Sequence, residues 1–156
     1  MTPTFQRILV PIDFSPASEV AVSCALSLAE KYVGKVHLLY AWAEFVPPQP
    51  DLMFWANRHP ITHEQMHEEA ERWMRDFVSS RGLSEQTIVS SAVTEGVADA
   101  VILGTAEAMA ADLVVMGTHG RTGVPHLLIG SVAEKVVRLA KCPVLTVHAP
   151  ASATPA

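Results

Sequence analysis

Five short apolar runs alternate along this chain with four stretches whose apolar residues recur at helical spacing, and that alternation leaves few folds open. The runs are residues 8–12, 35–42, 87–93, 113–116 and 143–147, rich in Val, Ile and Leu and short enough to be strands buried on both faces. Between them, residues 16–33 place Val20, Cys24, Leu28 and Tyr32 on one helical face, with Ser15 as N-cap, Pro16 as first helical residue and Gly34 as the expected stop. A second helix is predicted to open on a capping box at Thr62-His-Glu-Gln65 and to bury Met66, Ala70, Trp73, Met74, Phe77 and Val78. Residues 96–109 and 131–140 supply the third and fourth helices. The order β-α-β-α-β-α-β-α-β predicts an α/β fold: a single doubly wound domain with a five-stranded parallel sheet, order 3-2-1-4-5, and helices on both faces. The domain is expected to fill residues 1–148, with 149–156 a frayed, disordered tail. Residues 43–61 carry Pro47, Pro48, Pro50 and Pro60 and read as a long irregular segment.

Composition narrows the class of partner. A hydrophobic share of 49% fits a sheet covered on both sides. The net charge is −5 and no block of Lys or Arg occurs, which argues against nucleic acid as a partner. An anion site in such a chain must rely on backbone donors more than on side-chain cations. Cys24 and Cys142 lie far apart, outside any metal or redox spacing, and read as reduced core residues. The first residues show no apolar signal segment, and Asp99, Glu107 and Asp112 interrupt the apolar stretch 96–117, so no membrane span is expected and the cytoplasm is the expected location.

In doubly wound sheets ligands sit beyond the carboxyl ends of the strands, where the winding direction reverses. Strands 1 and 4 are the expected neighbours there, and they end on Asp13 and Gly117. The loop after strand 4 holds Gly117, Gly120, Gly123 and Gly130, half of the chain's eight glycines, and leads to Ser131. Glycines let N–H groups turn toward an anion, and a helix N-terminus adds unpaired donors and partial positive charge. A phosphate would be shared among the amides of residues 130–132. Ser131 and Glu134 have capping-box spacing, so the Ser131 hydroxyl either caps its own helix or turns to a phosphate. No Lys follows Gly130, so the loop is not a P-loop. A carboxylate after a strand often caps the next helix; with Ser15 in that role, Asp13 is freed for a ligand.

Gly117-x-x-Gly120, nine residues, then Gly130-Ser131 resembles the G-x2-G-x9-G-(S/T) motif of ATP-binding universal stress proteins. The resemblance extends to Ile8-Leu-Val-Pro-Ile-Asp13-Phe-Ser15, to residues 111–123 and 130–138, and to Cys142-Pro-Val-Leu-Thr-Val147. It implies an adenine pocket shaped by Pro11 and Ile12 and met by the Ala41 backbone, with Asp13 toward the ribose or adenine. Met116 and Gly117 would lie along the ribose, and Gly120, Arg121, Gly130, Ser131 and Val132 around the phosphates. It also implies ATP with Mg2+ or Mn2+ as cofactor, a regulatory or stress-survival role with an unknown protein partner, and a homodimer through Val144–Val147.

Two enzymatic readings stand beside it. A slow ATPase would need a group to position water, and His119 is the one nearby candidate. The run His63-Glu64-Gln65-Met66-His67 matches His-Glu-x-x-His, which points to zinc held by His63 and His67 with Glu64 activating water; for a third ligand only His59 or Glu71 is close in sequence, and packing at the edge of the core also explains the pair.

Overall fold

The computed structural model describes residues 4–43, 62–83, 88–119 and 129–149. Nine elements alternate: β1 (Arg7–Pro11), α1 (Pro16–Tyr32), β2 (Lys35–Trp42), α2 (His63–Ser80), β3 (Ile88–Glu95), α3 (Ala98–Ala108), β4 (Leu113–Gly117), α4 (Ser131–Leu139) and β5 (Val144–Val147). The sheet order is β3-β2-β1-β4-β5, with every pair parallel, as the alternation predicts. The proline-rich segment up to residue 61, most of the glycine loop and the tail beyond residue 149 lie outside the described residues.

Each face of the sheet meets its own helix layer. Ile8, Val10, Val36 and Leu38 turn toward Ala21, Val22 and Ala25 of α1 and Met74 and Phe77 of α2. Leu9, Leu39, Val114 and Met116 turn the other way, toward Ile102 and Ala106 of α3 and Ala133 and Val136 of α4. Successive strand side chains point to opposite faces. With both faces covered, the strands read as continuous apolar runs instead of alternating ones.

The helix starts follow local chemistry. Ser15 caps α1, its hydroxyl accepting from the Ser18 N–H at 3.3 Å, and Pro16 occupies the first turn. Thr62 and Gln65 form the predicted reciprocal box, at 2.9 and 3.2 Å. The stop of α1 differs from expectation. The left-handed residue is Val33, with φ 54°, and not Gly34. Gly34 is required for another reason: a Cβ there would lie 2.2 Å from the Phe5 carbonyl oxygen, where β2 starts beside the chain entering β1. α3 begins at Ala98, because Gly96 at φ 140° is not helical. β3 runs on to Glu95, because β2 continues to pair with it through Trp42.

Asp112 ties the entry of β4 to the entry of β1. Its Oδ2 accepts from the N–H groups of Gln6 (3.1 Å) and Arg7 (2.9 Å), and its Oδ1 from the Arg7 guanidinium at 3.1 Å. Partial burial alone would raise its pKa, but these donors outweigh it and hold the carboxyl below its ordinary 3.8.

Two predictions follow from these contacts. Val33 is 88% exposed, so its side chain contributes little packing. Val33→Gly relieves a β-branched residue of a left-handed backbone and is expected to stabilise the fold by about 1 kcal/mol. Gly34→Ala drives a methyl into the Phe5 carbonyl and is expected to cost about 2 kcal/mol. Urea denaturation of both variants checks the opposite signs. Asp112→Asn is expected to cost about 1 kcal/mol at neutral pH, discounted for solvent at this half-buried site. Because the folded pKa is depressed, that stabilisation is fully present above 3.8 and is lost as pH falls through the lower, folded value. The stability gap between wild type and Asp112→Asn therefore narrows below that point, as denaturation midpoints measured down a pH series will read.

Candidate functional site

The chain winds outward from β1 through β2 to β3, then returns to lay β4 on the other side of β1. The carboxyl ends of β1 and β4 therefore part where the winding reverses, and a cavity of about 210 Å³ opens there. Pro11, Ile12 and Asp13 reach it from the end of β1, and Leu39 and Ala41 from β2. Met116, Gly117, Thr118 and His119 reach it from the end of β4. Three helices also begin at its wall: α1 with Ser15 and Ser18, α3 with Ala98 and Ile102, and α4 with Gly130, Ser131, Val132 and Ala133. Aligned peptide dipoles give each of these ends partial positive charge.

Glycine is needed at two of these positions because backbones close up. A Cβ on Gly117 would lie 2.7 Å from the Ala17 Cβ, so the end of β4 rests directly on the first turn of α1. A Cβ on Gly130 would lie 3.0 Å from the Thr118 carbonyl oxygen, which accepts the Gly130 N–H at 2.6 Å. That bond joins the two ends of the glycine loop. The buried Thr118 is fastened in turn to β5: its N–H donates to the Val147 carbonyl at 2.9 Å, and its hydroxyl lies 2.8 Å from His148 Nδ1 and 3.1 Å from His119 Nδ1.

The start of α4 departs from expectation in two ways. The Ser131–Glu134 capping box does not form. Gly130 is the N-cap, Ser131 is already the first helical residue, and the Glu134 N–H bonds to the Gly130 carbonyl. A serine one residue inside the helix is past the position from which its hydroxyl caps. The Gly130 amide is also committed to Thr118, so the donors at the cavity begin at Ser131. No side chain caps α4, and the first N–H groups of a helix have no intrahelical acceptor. Asp13 lines the cavity, but its Oδ1 also accepts from the Ser15 N–H at 3.1 Å, so it braces the start of α1 as well.

Of the residues expected around a nucleotide, Pro11, Ile12, Asp13, Ala41, Met116, Gly117, Gly130, Ser131 and Val132 all line this one cavity. Gly120 and Arg121 lie outside the described residues. Ser18, Leu39, Ala98, Ile102, Thr118 and Ala133 line it without having been singled out from sequence. The signal for most of them was periodicity: Leu39 lies two residues from Ala41 on a strand, Thr118 two from Met116, and Ala133 one turn into the helix that Gly130 caps.

His63 and His67 stand apart from this cavity, on the first turns of α2. Their rings pack against Trp42 at 5.1 and 5.9 Å. His63 Nε2 meets Glu95 Oε2 at 2.7 Å, and His67 Nε2 lies 3.5 Å from Glu71 Oε1. Among the described residues, no three His, Cys, Asp or Glu side chains are grouped to hold a metal ion. No helix among the described residues is long and apolar enough to cross a membrane.

Comparison with known proteins agrees with this architecture. The universal stress protein family model matches residues 4–148. Universal stress protein MJ0531 of Methanocaldococcus jannaschii is 32% identical over 148 residues, covering 94% of this chain and 84% of that protein. The chain spans 45% of the length of the longer universal stress proteins that it matches in Mycobacterium. Among solved structures, that of MJ0577, from the same archaeon, superposes with a TM-score of 0.77 at 25% identity, covering 96% of this chain and 99% of that one. A universal stress protein in complex with cAMP has the same fold, with a TM-score of 0.60 at 24% identity over 94% of this chain and 99% of its own. With its sheet order, its crevice between β1 and β4 and a family match across nearly its whole length, the chain belongs to the universal stress protein family.

Proposed function

We propose that this protein binds ATP in the cavity between β1 and β4 and acts as a nucleotide-responsive regulatory or stress-survival module in the cytoplasm. One observation carries the reading: three helix N-termini converge on a cavity with an apolar floor, and two of them, α3 and α4, have no side-chain cap. Such an arrangement suits a ligand with a flat apolar end and an anionic end. Pro11, Ile12, Leu39 and Ala41 would take the base, Asp13 the ribose or the base edge, and the amides of Ser131, Val132 and Ala133 the phosphates. The spacing Gly117-x-x-Gly120-x9-Gly130-Ser131 supports ATP in particular. The cAMP complex of a related fold supports a nucleotide more broadly.

The Ser131 hydroxyl is a hard oxygen donor, which fits a Mg2+ or Mn2+ ion carried in with the phosphates. Such an ion would neutralise phosphate charge. Among the described residues no Lys lines the cavity, and Asp13, its one carboxylate there, is engaged with Ser15. Those facts favour holding ATP over hydrolysing it, and leave His119 as the group for any slow turnover. The reading includes a homodimer through β5. That strand is an edge of the sheet with Leu145 exposed, and an apolar edge left bare invites association. Binding energy stored in one conformation or dimer state is then available to a protein partner.

Two measurements test this. Protein denatured after purification is expected to release an adenine nucleotide, and nucleotide-stripped protein to bind Mg-ATP at one site per chain, with its thermal midpoint rising as ATP is added. Absence of both released nucleotide and calorimetric binding overturns the proposal, and tighter binding of cAMP than of ATP reassigns the ligand. The second test removes a single backbone donor. Ser131 is the first residue of α4, where proline is tolerated, and Gly130 before it is already extended at φ −74°, ψ 159°. Ser131→Pro is therefore expected to fold normally yet bind ATP roughly 10- to 100-fold more weakly, the value of a hydrogen bond to a charged group. Ser131→Ala, which keeps the N–H, is expected to lose much less, and equal losses in the two variants would assign the contact to the hydroxyl.

A further inference from the structure

Between Asp13, at the cavity, and Ser15, the cap of α1, stands Phe14 with a left-handed backbone, φ 62°. In that region the Cβ crowds the backbone, so a bulky residue stays there only when its surroundings hold it. The surroundings are aromatic. The Phe14 ring packs on Tyr40 of β2 at 4.7 Å, and on Phe77 and Trp73 of α2 at 5.6 and 6.1 Å. Tyr40 alternates with Leu39 and Ala41 along β2, so these rings lie across the sheet from the wall that Leu39 and Ala41 give the cavity.

Two consecutive side chains part here, Asp13 to the cavity and Phe14 to the aromatic socket. The left-handed φ folds the chain back so that the Ser15 N–H reaches Asp13 Oδ1 at 3.1 Å. A residue in extended conformation at this position would carry the Ser15 N–H away from that carboxylate.

We propose that Phe14 is a positioning residue for the nucleotide site: its aromatic socket holds the left-handed turn that aims Asp13 at the cavity and starts α1 beside it. The nucleotide part of this inference rests on the function proposed above; the turn does not. A consequence is that α2, which contributes nothing to the cavity wall, is connected to it through Phe77, Trp73 and the Phe14 ring.

The test separates backbone shape from packing. Phe14→Gly abandons the socket but adopts the left-handed turn freely, whereas Phe14→Val keeps apolar bulk and resists the turn. Amide exchange at Ser15 is read against global stability and against Ser18, whose bond to the Ser15 hydroxyl does not span residue 14, alongside Mg-ATP affinity. Phe14→Gly is expected to lower the denaturation midpoint more than Phe14→Val, yet to keep the Ser15 amide protected and ATP affinity within about threefold of wild type. Phe14→Val is expected to expose the Ser15 amide to exchange and to weaken ATP by about tenfold or more. If both readouts follow stability, with the glycine substitution worse in each, Phe14 is packing alone and the inference fails. Should Phe14→Gly not fold, Phe14→Asn takes its place, since Asn also enters the left-handed region. If wild-type protein binds no nucleotide, the reading of the cavity falls, while amide exchange at Ser15 still decides whether Phe14 sets the turn.

Discussion

β1 is hydrogen-bonded to β2 on one side and to β4 on the other, and nearly everything else about this molecule depends on that double pairing. Its register sets Leu9 opposite both His37 and Val114, so the apolar residues of three strands fall into step on both faces. It forces the crossovers that put α1 and α2 on one side and α3 and α4 on the other. It also leaves the ends of β1 and β4 without a common connection, and the crevice between them is where the helix starts gather. Asp112 secures the opposite end of the same pairing, taking donors from Gln6 and Arg7 as β1 begins. A change that loosens this strand pair would act on core and cavity together.

Much of this was legible in the residue pattern, because strands buried on both faces and helices with capping residues leave strong local marks. Ser15-Pro16 and Thr62-x-x-Gln65 are starts whose whole chemistry lies within a few residues, and both form as read. What escaped were features whose cause is distant in sequence. Gly34 reads as a helix stop, yet its glycine is required by the Phe5 carbonyl, in the segment that leads into β1. β3 runs two residues past the expected end at Val93 because its last pairs are fixed by Trp42 and not by its own residues. Ser131 and Glu134 have the spacing of a capping box, but Gly130, whose amide goes to Thr118, is the N-cap, and the helix begins one residue earlier than a box requires.

The cavity shows the same division. Pro11, Ile12 and Asp13 were expected there because they end a strand at the reversal point. Ala98 and Ile102 were not, because their placement depends on α3 starting at the same edge of the sheet from a strand two positions away. In a doubly wound sheet every helix that follows a strand starts at the carboxyl edge, so the starts of α1, α3 and α4 gather by topology, and sequence alone does not say which of them reach the crevice.

The choice of backbone over side chain has a physical consequence. To bind ATP as proposed, a chain of net charge −5 would hold an anion against its own mean field, and lysines do so only while they are charged and well placed. Helix N–H groups do not titrate, and their directions are set by the same hydrogen bonds that hold α4 and by the close approach of Gly117 to Ala17. Anchoring the glycine loop through Gly130 and Thr118, and Thr118 through Val147, fixes the donors to the sheet at β5. Because β5 is an edge strand, a contact made there lies two hydrogen bonds from the amide that starts α4. Under the function proposed above, those two bonds link the nucleotide site to the sheet edge at which the proposed dimer would form.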